Sequence, residues 1–196
     1  AEAQATLGTP KSPDGKAPRL FEVIQDISVD AEGNLYVVDR RRLKIFHPNG
    51  RLVAVPESFE LGGATHPLGD VHGVRAADDA LYVAARLEPA GPNRWTRGQL
   101  VKFTIGLEGA LRAVWSAPLD PMAGLVAVDE RVEPAIVWVA NGGGPASFSR
   151  IVDLGPKPGE IRHCGSGIRR GVLVDPWAIA LDGQGRLFVH DYGRNA

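Results

Sequence analysis

One pattern recurs along this 196-residue chain, and a recurring unit decides architecture before any single residue does. Asp26 to Asp39 reads DISVDAEGNLYVVD and Ala178 to Asp191 reads AIALDGQGRLFVHD. Each is an apolar run, a glycine-bearing turn and a second hydrophobic run ending in Asp. His72 to Ala85 (HGVRAADDALYVAA) and Leu125 to Asn141 (LVAVDERVEPAIVWVAN) supply two further copies, the latter with an enlarged turn. The aromatic anchors Tyr36, Tyr82, Trp138 and Phe188 stand 46, 56 and 50 residues apart. That period belongs to propeller blades and not to helical hairpins or horseshoe repeats.

Each of the first three anchors is followed by a second pair of strand-like runs: Leu43 to Phe46 with Leu52 to Val55, Leu100 to Phe103 with Leu111 to Trp115, and Phe148 to Val152 with Glu160 to Cys164. Turn sequences HPNG, GLEG and GPKPG separate them, as hairpins require. The unit therefore has four strands. Runs such as LYVV and IVWV do not alternate, which fits sheets covered on both faces by neighbouring blades. No sustained amphipathic helix pattern is present. The expected fold is an all-β propeller of four-stranded antiparallel blades near residues 26–55, 72–115, 125–164 and 178–196. Residues 1–19, polar and rich in Ala, Pro and Lys, read as a leader or linker.

The segment Asp30-Ala-Glu-Gly-Asn-Leu-Tyr-Val-Val-Asp39 followed by Arg42-Leu-Lys-Ile-Phe-His-Pro-Asn-Gly50 resembles the NHL-repeat β-propellers, and Asp182 to Asn195 resembles them again. The blades at His72 and Leu125 depart from the pattern, one lacking the turn glycine and terminal Asp, the other enlarging its turn. The resemblance implies a ring that commonly has six blades, so 20–196 reads as part of one, and the remaining blades are expected in a longer chain. Leu20 to Ile24 (LFEVI) resembles the outer strand of a blade.

With 22 Lys and Arg against 23 Asp and Glu, the net charge of −1 provides no overall field for nucleic acid or anionic lipid. No apolar run approaches the roughly 20 residues that span a bilayer. The lone Cys164 cannot form an internal disulfide. The chain begins at Ala1 and not Met, so either a leader was removed or the sequence is an excised piece. An extracytoplasmic location, periplasmic or secreted, is the expectation.

In an up-and-down blade, loops after the second and fourth strands share one face, here termed the first face. The short turns DAEGN, DGQGR, HPNG and GPKPG fall on the opposite one. Pro56 to Val71, Arg86 to Gly98, Asn141 to Ala146 and Gly165 to Pro176 then form irregular first-face loops, where rigid scaffolds carry binding residues. Arg40, Arg41 and Arg42 make a basic run there, with Arg86 and Trp95 in another loop, Asn141 closing a second strand, and Trp177 entering the last blade. These seven are the candidate ligand-binding residues. Asp39, Asn141 and Asp191 recur at one position, which points to a side chain accepting backbone N–H groups of the following loop. The acidic turns are too short to offer calcium its six to eight oxygens.

Asp26 and His72 occupy matching entry positions of inner strands when the repeats are aligned by sequence. Such a pair could hold a divalent metal, Zn or Ca, in the central channel. The pair resembles channel-mouth sites of propeller lyases and gluconolactonase-like enzymes, although the later equivalents, Leu125 and Ala178, are not ligands. No GxSxG elbow or HExxH spacing occurs. The functional expectation is a non-enzymatic scaffold that binds a protein, peptide or glycan through its loop-rich face. The alternatives are a metal-dependent lyase or lactone hydrolase and, against the neutral charge, RNA binding by the basic loops.

Overall fold

The structure, a computed structural model, describes residues 21–77, 80–87, 98–119, 124–141, 146–165, 173 and 176–191. Strands β1 (Ile24–Val29), β2 (Leu35–Asp39), β3 (Arg42–Phe46) and β4 (Leu52–Ala54) form the first sheet in chain order. The second contains β5 (Ser58–Leu61), β6 (Ala64–Pro67), β7 (Asp70–Ala77), β8 (Ala80–Arg86), β9 (Gln99–Ile105) and β10 (Leu111–Pro118), in the order β6-β5-β10-β9-β8-β7. Strands β11 (Val126–Asp129), β12 (Ile136–Ala140), β13 (Ala146–Asp153) and β14 (Pro158–Gly165) form the third sheet, and β15 (Pro176–Leu181) with β16 (Leu187–Asp191) the fourth. The described residues contain no α-helix, only a 3₁₀ turn at Leu107–Gly109.

The four anchors occupy one structural position. Tyr36 lies opposite Ser28, Tyr82 opposite Arg75, Trp138 opposite Ala127 and Phe188 opposite Ala180, each pair joining the inner two strands of a blade. Consecutive sheets pack face to face over separate apolar cores. Tyr36, Val38, Leu43 and Ile45 meet Val71, Val74, Leu81 and Phe103. Leu100, Trp115 and Ala117 meet Val126, Val128, Val139 and Ile151, and Ala127 and Ala140 meet Ile179. Burial on both sides explains the unbroken hydrophobic runs: Tyr36, Val37 and Val38 are all buried, as are Leu81 to Ala85.

Three expectations are corrected. Pro56 to Val71 is not an irregular loop. Its central part is the hairpin β5–β6, turning through Gly62-Gly63 with φ of +60° and +82°, and β5 joins the outer edge of the second sheet in parallel with β10, pairing Glu60 with Arg112. Two central residues at positive φ, free of any Cβ, suit the right-handed twist of a two-residue hairpin. Phe59 anchors the insertion, edge-on to Phe103 at 5.2 Å and stacked on His66 at 5.5 Å.

Leu20 to Ile24 does not provide an outer strand among its described residues: Phe21 to Val23 leads straight into the inner strand β1, which starts at Ile24.

The third correction concerns register. Asp26 lies opposite Val38, two residues beyond Tyr36, and the residue two beyond Tyr82, Ala84, lies opposite Gly73. Five residues separate the paired Val29 and Leu35, whereas four separate Ala76 and Leu81. The shorter turn slides the inner strand by one position, and a one-residue slide exchanges the faces of a strand. Gly73, not His72, is therefore the counterpart of Asp26. His72 instead matches Gln25 and Trp177, each sitting where pairing skips a residue, between Ile24 and Asp26, Val71 and Gly73, and Pro176 and Ala178.

Candidate functional site

The first face is built where second strands hand over to third strands and where chains enter inner strands. Arg40 and Arg41 form the two-residue turn between β2 and β3, closed by the pair Asp39 and Arg42. Both arginines are left-handed, with φ of 49° and 67°. A side chain in this region costs about 1–2 kcal/mol per residue, and two-residue hairpins ordinarily use Asn-Gly there.

Neighbouring groups hold the strained turn. The Arg40 guanidinium pairs with Glu22, Arg41 Nη1 donates to Asp70 Oδ2 at 3.0 Å, and the Arg41 backbone N–H donates to Gln25 Oε1 at 2.7 Å. Val71 N–H donates to the Arg41 carbonyl at 2.8 Å. Arg41 thus ties the first blade to the second. Arg42 opens β3 and is exposed, and its side chain has no hydrogen-bond or ion-pair partner among the described residues.

Below the turn, Asp39 is buried. Its carboxylate accepts from the backbone N–H groups of Glu22 and Val23 at 2.7–3.1 Å and from Lys44 Nζ at 2.7 Å. Burial alone would raise its pKa, but Lys44 and the two amides outweigh that and hold the carboxyl below its ordinary value. Asp39 thus caps backbone amides, but of the segment entering its own blade and not of the loop that follows. The corresponding pair differs between blades. Asp39 and Lys44 in the first are matched by Ala85 and Val101 in the second and by Asn141 and Ser149 in the third. Buried Asn141 donates from Nδ2 to Ser149 Oγ at 2.9 Å, and Ser149 Oγ lies 2.9 Å from His163 Nδ1. Of these three blades, only the first is charged at this place.

Glu22, Asp39, Arg40, Arg41, Arg42, Lys44 and Val55 line a cleft of about 780 Å³. Four cations and two carboxylates share it. Sequence reasoning found the three arginines but not Lys44, Glu22, Gln25 or Asp70. Lys44 could have been found from the hairpin itself, since a two-residue turn after Asp39 brings the side chain at that spacing back across it.

At the channel side, Asp26 accepts from Val74 N–H at 2.8 Å and Ile27 N–H at 2.9 Å, while Ser28 Oγ accepts from Ala76 N–H at 2.9 Å. Two side chains of β1 thus bond the backbone of β7 in the next blade. Burial pushes the Asp26 carboxyl up to about 6, despite the two amides and nearby Arg75. His72 is half-buried, its Nε2 has no hydrogen-bond partner among the described residues, and burial, reinforced by the charges of Arg86 and Arg41, keeps its pKa below the ordinary value. Arg86 ends β8 opposite Asp70, and its Nε likewise has no hydrogen bond among the described residues.

Asp26 and His72 lie on adjacent inner strands without being counterparts, and among the described residues no three His, Cys, Asp or Glu come together to hold a metal. Trp177 stands at the third skipped position, in β15. Trp95 lies outside the described residues. The acidic turns are internally occupied: Asp30 bonds Asn34 and Tyr36, and Asp182 bonds Gln184 and Arg186.

Antiparallel sheets fanned face to face, with inner strands bonded blade to blade, decide the architecture. The fold is a β-propeller arc. Its shape is similar to a glucose dehydrogenase-type oxidoreductase of Thermus thermophilus, with a TM-score of 0.56, 18% identity, and coverage of 87% of this chain and 58% of the other. A gluconolactonase of Xanthomonas campestris matches with a TM-score of 0.57 and 18% identity, over 83% of this chain and 54% of its own. The Malassezia sympodialis allergen Mala s 1 matches with a TM-score of 0.54 and 12% identity, over 85% and 56%. This propeller arc therefore spans little more than half the length of these proteins. No family model and no curated protein matches the sequence. No described helix is long and apolar enough to cross a membrane.

Proposed function

We propose that this chain belongs to an NHL-type propeller that binds a partner through its first face, and that the partner presents a carboxylate-rich peptide segment to the cleft beside β3. The observation that carries this reading is the cleft of about 780 Å³ lined by Arg40, Arg41, Arg42 and Lys44, with Arg42 exposed and without an ion-pair or hydrogen-bond partner among the described residues. A planar guanidinium with free N–H groups takes a carboxylate bidentately. Glu22 and Asp39 neutralise part of the local charge, which favours a short acidic segment over a continuous phosphate backbone. Titration with a poly-glutamate peptide at low ionic strength, followed by calorimetry, tests it. Binding should weaken at least tenfold in Arg42→Ala and fall with salt. A chain that binds poly-uridine or oligogalacturonate but not the peptide overturns the peptide assignment, and one that binds none overturns the site.

A second reading rests on Asp26, a carboxyl at the entry of an inner strand that bonds the Val74 and Ile27 amides and that burial pushes up to about 6. That value suits a general base near neutral pH, and the shape shared with a gluconolactonase makes lactones the substrate to try. Lactone hydrolysis abolished in Asp26→Asn would support it. Hydrolysis absent from the wild-type chain removes it.

A further inference from the structure

Among the described residues three buried side-chain polar atoms have no hydrogen-bond partner: His72 Nε2, Arg86 Nε and Asn141 Oδ1. All three belong to the first-face end of one seam, that between the second and third blades. Along β8, Ala85 packs toward the first blade and Ala84 toward the third, so Arg86, next after Ala85, shares the side of Ala84. His72 is the residue that pairing skips beside Gly73, the partner of Ala84. On the other wall, Val139 and Ile151 pack toward the second blade. Ser149 lies opposite Val139 and takes the same side, and Asn141 donates to its Oγ. The backbones here nearly touch. A Cβ on Gly73 would stand 2.3 Å from the Gly124 carbonyl oxygen, and one on Gly124 would stand 2.1 Å from that of Ala140, so His72 and Asn141 flank a line of chains in close contact.

Charge is left over at this place. Arg86 is half-buried and forms no ion pair among the described residues; Asp70 lies opposite it, but the Asp70 carboxylate takes Arg41 Nη1 at 3.0 Å instead. A guanidinium shielded from water without a counter-charge is costly, and a buried N–H without an acceptor loses its full desolvation energy. Water satisfies such a donor and leaves the charge uncompensated. We propose that this end of the seam binds the C-terminal carboxylate of a peptide, which accepts from Arg86 Nε and His72 Nε2 while the last amide N–H of the peptide donates to Asn141 Oδ1. That chain end brings acceptors, a donor and one negative charge, the complement of the three orphaned atoms and of the unpaired guanidinium. His72 stays neutral, as burial and the charges of Arg86 and Arg41 favour, and takes the tautomer with its proton on Nε2. None of the three residues lines the cleft beside β3, and the two sites stand or fall separately.

N-acetylglycine, a chain end reduced to one carboxylate and one amide N–H, tests this by NMR titration of the 196-residue chain at millimolar ligand. It should bind and shift the His72 ring signals. N-acetylglycinamide, which lacks the charge, should bind at least about tenfold more weakly, and N-acetylsarcosine, which keeps the carboxylate but has no N–H, about fivefold more weakly. Arg86→Met retains the length of the side chain and should abolish binding with an unchanged circular dichroism spectrum. The two analogues are compared on the wild-type chain, so the test does not hang on the folding of the variant. Absence of N-acetylglycine binding overturns the site. Equal binding of the glycinamide overturns the carboxylate, equal binding of N-acetylsarcosine overturns the part given to Asn141, and undiminished binding to a folded Arg86→Met chain overturns the placement.

Discussion

Replacing Asp153 by Asn should destabilise the chain more than any other single isosteric change at the boundary between the second and third blades. Asp153 ends β13, and its side chain is 4% exposed. Its carboxylate accepts from Lys102 Nζ at 2.8 Å, Trp115 Nε1 at 3.1 Å, Gly155 N–H at 2.9 Å and the Tyr82 hydroxyl. Three of these donors reach it from the second blade and the fourth from its own turn. Asn keeps the shape but removes the charge opposite a Lys102 side chain that is only 14% exposed, and it turns an NH₂ toward a donor.

Stranding one member of a buried ion pair costs about 3–5 kcal/mol, a large part of the roughly 5–15 kcal/mol that holds a domain folded. With a urea m-value of about 2 kcal/mol/M, the midpoint should fall by about 1.5–2.5 M. Trp115 emission follows the transition, because its indole N–H touches the altered group. In a Lys102→Met background the same substitution should cost only about 1–3 kcal/mol, the value of the neutral hydrogen bonds that remain. The folded pKa of Asp153 lies below its ordinary value, since the Lys102, Tyr82 and Gly155 bonds outweigh burial. Its stabilisation is therefore present above the unfolded pKa of about 3.9 and lost as pH falls through the folded value. A loss under about 0.5 kcal/mol, or an equal loss in both backgrounds, would refute the argument, because an uncompensated lysine is its whole basis.

Asp26 behaves in the opposite sense. Its folded pKa of about 6 lies above the unfolded value, so ionisation weakens the fold as pH rises from about 4 to 6, by about 3 kcal/mol in total. Asp26→Asn can still accept from Val74 and should abolish that slope in urea midpoints, leaving the variant the more stable at pH 7; an unchanged slope refutes the assignment. Gly73→Ala places a Cβ 2.3 Å from the Gly124 carbonyl oxygen and 2.8 Å from Leu125 Cα, both backbone, so the second and third blades must part. A loss of about 1–3 kcal/mol is expected by thermal melting, and a neutral outcome would show that the inner strands are looser than the structure has them. Arg40→Asn with Arg41→Gly relieves two left-handed side chains worth about 1–2 kcal/mol each, against exposed ion pairs worth about 0–1 kcal/mol each. Stability should rise by about 1–2 kcal/mol while poly-glutamate binding weakens, and a fall in melting temperature would deny that the turn is strained.

Much of the first face was legible in advance. Arg40, Arg41 and Arg42 stand in a first-face hairpin as the repeat required, and their strained turn and shared cleft follow from it. The inserted hairpin carries a signal that could have shown it, because Gly62-Gly63 between SFEL and ATHP is a two-residue turn; its place on the outer edge of the second sheet has none, since that depends on Phe59 finding Phe103. The Asp26 and His72 equivalence failed for a definite reason. Sequence alignment matched the two from their anchors backwards, while hydrogen-bond pairing runs through a turn one residue shorter.

Taken alone, the order of residues determined the repeat, the four strands of a blade, the equivalence of Tyr36, Tyr82, Trp138 and Phe188, and the sorting of loops onto two faces. Those follow from local chemistry: turn residues, hydrophobic runs and period. The tertiary structure decided which side chains meet across blades, namely Asp153 with Lys102 and Tyr82, Asp26 with Val74, and Arg41 with Asp70. Such contacts join positions tens of residues apart, and their register turns on a single residue in a turn, which no local pattern encodes.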